Sequence, residues 1–361
     1  MENIARLMME LPKNYEEECF KQKAIVRRRG VSSPADLMML AMFHLQNGCS
    51  LMEMSEVARI TKLGSMSDVA FMKRFEKCGN WFRSINESLS AKCMIDYHKP
   101  AFLDGKTLTA VDASDVSEKG RSGRIYRLHY ALDIFKMASK EHKITNNKTG
   151  ESLCNFKFGQ GDVVVADRGY ANIKGIEHCN KSGAEYIIRL RKNSFTVKDK
   201  LGIKIDLVAL LTKLKPDEIL DITAFATNSG GAKIPLRICA IKKTPDAIVQ
   251  TEKKLHRKES KNQITITDET KTFHEYIVVV TNFNESVAAK DILETYRLRW
   301  QVEIYFKRLK SILNFGELPK RRPESVMAWL NGKMMVALLI EIVIAKVSFP
   351  PPTDNGQECL A

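Results

Sequence analysis

Residues 162–166 read Asp-Val-Val-Val-Ala. Successive side chains of a strand point to opposite faces, so three valines in a row place apolar surface on both. Such a run marks a strand buried on both faces, as in an α/β fold whose sheet is covered by helices. The rest of the chain is read around this strand.

Residues 1–98 read as a helical N-terminal region. Ser33 and Pro34 open an apolar helix, 36–46, that stops near Gly48, a pairing of start and stop signals typical of helix ends. A second helix is expected over 50–60. A third is expected over 66–82, after the Gly64–Ser65 turn, and carries Lys73 and Arg74. Two short helices about such a turn fit a DNA-binding helix-turn-helix, and equally any small helical bundle. From about residue 100 the period changes. Strands are expected over 107–116, 125–134, 140–146, 162–166 and 185–191, with a helix over 171–182. Residues 99–194 thus form the first part of a core. The lysine-rich segment 195–272 reads as a β-rich insertion, and the core resumes over 273–347. There a buried strand (277–281) precedes long helices over 288–313 and 327–345. The tail 348–361, with its Phe-Pro-Pro-Pro start, has no periodicity and is expected to be loose.

Lys and Arg number 57 against 43 acids in 361 residues, a net charge of +14. That surplus suits a polyanionic partner, since each neutralised phosphate releases a counterion, and it also suits an ordinary basic protein. Eight scattered cysteines, none at zinc-ligand spacing, argue against a structural zinc site and fit reduced thiols. The longest apolar run, 334–345, is interrupted by Glu341 and reads as a buried helix rather than a membrane span. With no leader evident at the N-terminus, a cytoplasmic, nucleoid-associated protein without a membrane partner is expected.

Three acids occupy telling places. Asp112 lies mid-strand in Ala-Val-Asp-Ala-Ser, and Asp167 follows the valine strand in Asp-Arg-Gly-Tyr. Acids at strand ends of an open α/β sheet face its crevice, but a turn cap or a salt bridge explains either one alone as well. The third, Glu303, lies in a segment where steps of three, four and seven residues set Tyr296, Arg299, Glu303 and Lys310 on one helical stripe. By spacing alone this is a solvated face with a weak Arg299–Glu303 pair.

The pattern Tyr296, Arg299, Glu303, Lys310 resembles the YREK signature of DDE transposases of the insertion-sequence-four family. Asp167–Tyr170 is similar to that family's second-aspartate motif, and Asp112 lies in a context like that of its first. Asp115 is the neighbour that competes for this assignment; odd spacing along the strand turns it to the opposite face. The resemblance spans about 100–345. It implies an RNase H-like mixed sheet with flanking helices, a β-rich insertion and an N-terminal all-helical, end-binding domain. It also implies that Asp112, Asp167 and Glu303 are catalytic and hold Mg²⁺ or Mn²⁺, as two ions. Arg189, Tyr296, Arg299 and Lys310 would contact DNA. The expected partners are double-stranded DNA (the element's inverted-repeat ends and its target) and a second copy of the chain in a synaptic complex. The competing reading is an inactive or domesticated DNA-binding protein or regulator. Trp300 and Trp329 are expected in the core, His129 as a satisfied structural histidine, and the lysines at 242, 243, 253, 254, 258 and 261 as either a phosphate-tracking surface or a solvated hairpin face.

Overall fold

The computed structural model describes residues 2–90, 99–118, 125–135, 138–313, 317–318 and 322–347. The helices α1 (Glu2–Met8), α2 (Tyr15–Lys21), α3 (Pro34–Asn47), α4 (Leu51–Ile60), α5 (Asp68–Glu76) and α6 (Gly79–Ser90) come first. Strands β1 (Thr107–Glu118), β2 (Ile125–Asp133), β3 (Ala138–Asn146) and β4 (Asp162–Ala166) follow, then α7 (Ile173–Ser182) and β5 (Glu185–Arg189). Next are α8 (Leu207–Leu211), β6 (Ile219–Thr227), β7 (Lys233–Lys242), α9 (Pro245–Asn262), α10 (Asp268–His274) and β8 (Tyr276–Thr281). The chain closes with α11 (Ala289–Arg297), α12 (Trp300–Leu313), β9 (Glu317–Leu318) and α13 (Pro323–Val347). The expected tail, 348–361, lies outside the described residues.

The chain folds as two compact units, and β1 passes from one to the other between Asp112 and Ala113. The unit holding the N-terminal helices also contains Ala113–Thr149 and the chain from Ile304 onward. Its helix ends follow local chemistry. Ser33 accepts from the Asp36 N–H with Pro34 at the first helical position, and Gly48 closes α3 in the left-handed region, as caps of those types do. Ser50 and Glu53 form a reciprocal capping box on α4. The third expected helix is in fact α5 and α6. Lys77 and Cys78 donate three residues back, to Arg74 and Phe75, so the helix tightens and turns there. Around α13 pack α1, α3, α5 and α6, with Trp81, Phe82, Phe71 and Phe75 fully buried or nearly so. The Trp81 indole N–H donates to the Tyr15 carbonyl at 2.7 Å. By length and composition α13 could cross a membrane. It is longer than the apolar run 334–345 led one to expect, and most of its apolar surface is buried inside this unit.

Of the helix-turn-helix basics, Lys73 is exposed, whereas Arg74 is committed to the carbonyls of Arg27 and Arg29 at 3.0 and 2.8 Å. The sheet portion of this unit has the order β3-β2-β1, with β9 parallel to the end of β1. His129 is fully buried and meets the Thr145 hydroxyl at 3.0 Å. Burial, aided by Arg127 and Lys143, pushes its pKa down to about 4, so it is the neutral structural histidine expected. Asp115 forms a two-pronged pair with Arg127 (2.7 and 3.2 Å). That bond, more than any other influence, holds its carboxyl below the usual range.

The other unit carries the remaining strands in the order β1-β4-β5-β8-β7-β6. β1, β4 and β5 are parallel, and β8, β7 and β6 continue antiparallel. Val163, Val164 and Val165 have no exposed surface, as their run requires, and this mixed α/β sheet is the expected class. The segment 195–272 is not only β. Its strands β6 and β7 extend the main sheet through β8, and its lysine-rich half is the helix α9. Thr244 caps α9 and Pro245 stands at its first turn. Arg237 on β7 binds both Asp221 oxygens at 2.7 Å and donates to the carbonyls of Asn284 and Val287 at 2.6 and 2.8 Å.

Candidate active site

The site grows out of strand register. β1 and β4 pair with Val111 opposite Ala166, and β4 and β5 with Ala166 opposite Ile188. The next residue on each strand is Asp112, Asp167 and Arg189. Asp167 keeps an extended backbone, so the three stand level on adjacent parallel strands, about 4.8 Å apart in backbone spacing, with side chains on a common face. This is the carboxyl end of the parallel strands, where open α/β sheets place their ligands. Asp167 heads a short helical turn but makes no capping bond with its side chain, so the turn-cap explanation of this residue does not hold. Gly169 allows the chain to turn close by: a Cβ there would stand 2.6 Å from Glu151 Oε2.

α11 packs over β5, β6 and β7 and delivers the signature residues. They do not lie on one continuous helix. Leu298, Arg299, Gln301 and Val302 each donate three residues back, a tightening that ends α11 after Arg297 and starts α12 at Trp300. Tyr296 is therefore the penultimate residue of α11, Arg299 sits in the junction and Glu303 lies in the first turn of α12. Arg299 Nη2 donates to Glu303 Oε1 at 2.6 Å, with the Arg299 side chain only 11% exposed. The guanidinium lies 5.8 Å from the Tyr296 ring centroid. Burial opposes its charge, but Tyr296, Glu303 and Asp167 together raise its pKa. Tyr296 is buried, which raises its own pKa against the pull of Arg299 and Arg189. Arg299 Nε is buried and meets no hydrogen-bond partner among the described residues, and the buried Tyr296 hydroxyl lies next to the same guanidinium. A buried donor of this kind costs on the order of 1–3 kcal/mol until an acceptor meets it.

The structure thus brings Asp112, Asp167 and Arg189 together by register, sets Tyr296 and Arg299 near Asp167, and ties Glu303 to Arg299. Among the described residues no three acids, histidines or cysteines are gathered closely enough to hold one metal ion; Glu303 is engaged by Arg299 instead. Lys310 lies exposed toward the end of α12, and its charge helps lower the pKa of Asp115, after Arg127. Trp300 is 44% exposed and so is not the core residue expected, whereas Trp329 is buried. The helical break explains Trp300: it begins a new helix and no longer follows the buried stripe of α11.

Two carboxylates side by side, both partly open to solvent, are donors of the hard-oxygen type that Mg²⁺-like ions take. Sequence reasoning passed over Arg168 and Arg191. Arg168 lies next to Asp167 and meets His274 Nδ1 at 3.4 Å, and Arg191 Nε donates to the Arg168 carbonyl at 3.0 Å. The only signal for them was the basic residue on either side of the site motifs.

A family model described as "Transposase DDE domain" matches residues 104–339, well over half of the chain and a span that includes every one of these site residues. The chain belongs to the DDE transposase family. Members depend on divalent metal, and the sheet described above is the RNase H-like core of such an enzyme. Among curated proteins, the chain is similar to the putative transposase InsL for insertion sequence element IS186A of Escherichia coli (strain K12), 27% identical over 342 residues, covering 93% of this chain and 91% of that protein. It is equally similar to the transposase for insertion sequence element IS421 of Escherichia coli, 27% identical over 343 residues with the same coverage. The transposase for insertion sequence element IS231E of Bacillus thuringiensis subsp. finitimus is 27% identical over 218 residues, 56% of this DDE transposase and 45% of that protein.

Proposed function

We propose that this transposase cuts DNA at the ends of an insertion sequence and joins them to target DNA, with Asp112, Asp167 and Glu303 as its catalytic carboxylates. The observation that carries the reading is the level placement of Asp112, Asp167 and Arg189 at the carboxyl ends of three parallel strands. Asp112 and Asp167, with Glu303 from the first turn of α12, would hold Mg²⁺ or Mn²⁺, as two ions. Bound there, the metal activates the attacking oxygen and neutralises the leaving one at a phosphodiester.

The chain's own residues position the DNA. Arg189 lies beside the two aspartates and offers a planar fork to a phosphate. Arg299 has a buried Nε still to be satisfied, and a phosphate oxygen supplies the acceptor. Tyr296 presents a buried hydroxyl and ring next to it, and Lys310 on α12 adds a point charge farther along the strand. The N-terminal helices bind the inverted repeats, and two copies of the chain bring two ends together in the cell's nucleoid.

A DNA-binding relic is the second reading, and the engagement of Glu303 by Arg299 is the observation in its favour. The deciding experiment is a nicking assay on duplex DNA carrying the element's ends. Mg²⁺ is expected to start cutting and a chelator to stop it. Binding of the ends with no cutting in either Mg²⁺ or Mn²⁺ would establish the relic.

A further inference from the structure

Beside Asp167 lies a cavity of about 430 Å³ lined by Arg168, Arg189, Arg191, Lys243, Lys254 and Lys258, with Asp167 the one acid among the described residues of its lining. Lys254 and Lys258 stand one turn apart on α9, on the same face as Thr251 and Leu255, which also line the cavity. Lys243, at the end of β7, is only 7% exposed, and its ammonium donates to the Thr251 hydroxyl at 2.7 Å. His274 closes one side, and its ring nitrogen faces Arg168 at 3.4 Å, which fixes it as a neutral acceptor.

Cations packed this closely repel, and desolvating them raises the cost. The strain is visible in the groups themselves. Burial first, then Arg189, Arg168 and Lys254, pushes Lys243 down to about 7. Burial first, then Arg168, Lys243, Arg189 and Lys258, pushes His274 down to about 4. The neighbouring acids are engaged elsewhere: Glu269 with Lys192, Glu275 with Lys242, and Glu259 with Lys271 and His256. A lining of six cations against one carboxylate suits an anionic occupant. Asp167, the carboxylate assigned above to the metal site, stands in the cavity wall.

We infer that this cavity holds a phosphate group of the DNA strand that runs past Asp167, gripped by Arg168, Arg191, Lys243, Lys254 and Lys258. The inference rests on the DNA-cutting reading above and extends it to α9. The lysines split accordingly. Lys254 and Lys258 bind phosphate, whereas Lys253 and Arg257, exposed like them, do not line the cavity.

Two double variants test this, each removing two positive charges from exposed positions of α9: Lys254→Ala with Lys258→Ala, and Lys253→Ala with Arg257→Ala. Affinity for end-containing duplex is measured across a salt series, with either a 5′-phosphate or a 5′-hydroxyl terminus. The log–log salt slope falls by about 0.9 for each phosphate that the protein no longer neutralises. The cavity variant is expected to lower it by the equivalent of one to two phosphates, roughly 1–2, and the control to leave it nearly unchanged. A loss seen on both duplexes assigns a backbone phosphodiester; a loss seen only with the 5′-phosphate assigns the strand terminus. Equal slopes for the two variants would overturn the proposal. Nicking by the unaltered protein is recorded alongside. Nicking with equal slopes sinks the cavity alone, and a cavity-specific slope without nicking sinks the enzymatic reading alone.

Discussion

Replacing Asp167 with Asn, or Asp112 with Asn, is expected to reduce strand cutting by about a thousand-fold or more while leaving end binding intact. The exchange keeps size and shape but removes the charge that we propose holds a divalent ion. That ion supplies several kcal/mol of transition-state stabilisation, and each 1.4 kcal/mol is tenfold in rate. Folding should not suffer, because Asp167 makes no capping bond with its side chain and stands at the solvent-accessible end of its strand. Removing a negative charge next to a DNA path also lessens repulsion, so affinity for the ends should hold or rise. Asp115→Asn is the informative contrast. Its carboxylate serves Arg127 and faces the other side of β1, so it should cost modest stability and leave cutting largely in place. If Asp115→Asn abolished cutting and Asp112→Asn did not, the first catalytic aspartate would have to be reassigned.

The second large effect concerns stability. Arg237→Leu is expected to destabilise the unit containing β6, β7 and β8 by about 3 kcal/mol, the lower end of what breaking a buried pair costs. The guanidinium is nearly buried, while Asp221 remains 39% exposed and can recover some hydration. The loss also strands the carbonyls of Asn284 and Val287, which Arg237 now serves. Those residues lead from β8 into α11, so the damage extends toward the helix that carries Tyr296. The pair also makes stability depend on pH. The bond from Arg237 is the main reason the Asp221 carboxyl sits below its ordinary pKa. Its contribution is complete above the unfolded value near 3.9 and disappears as pH falls through the lowered folded value. Urea unfolding at neutral pH and at about pH 3 measures both effects. A variant as stable as the parent at neutral pH would show the pair to be dispensable.

Much of this architecture was legible because single residues forced it. Val163–Val165 admitted only a doubly covered strand, Ser33-Pro34 and Gly48 bracketed α3, and odd spacing separated Asp115 from Asp112. The signature spacing pointed to Tyr296, Arg299 and Glu303, which the structure sets next to one another, but not to the shape of the chain that holds them. No Gly or Pro marks the junction at Leu298–Arg299, where the helix tightens through three-residue hydrogen bonds, so one long helix was the natural expectation and Trp300 was placed in the core. The split between α5 and α6, by contrast, has a glycine at it, Gly79, which the apolar spacing across 66–82 overrode. α9 was missed because only a narrow stripe of it, Ala247 and Leu255, is buried. Its composition therefore looked like a solvated hairpin, although Thr244-Pro245 is a helix start. The cation-lined cavity was invisible because its walls come from short helical turns, strands and helices scattered over a hundred residues of sequence. The Arg299–Glu303 bond was foreseen only as a surface pair, and its burial beside Asp167 gives it a different meaning.

The central claim is that Asp112 and Asp167, level on neighbouring strands, hold the catalytic metal together. Crystals soaked in Mn²⁺ and measured for anomalous scattering test it most directly. A peak within coordination distance of carboxylate oxygens from both residues, absent from crystals of the Asp167→Asn variant, is the predicted result. Manganese bound elsewhere, or by neither aspartate, would contradict the account.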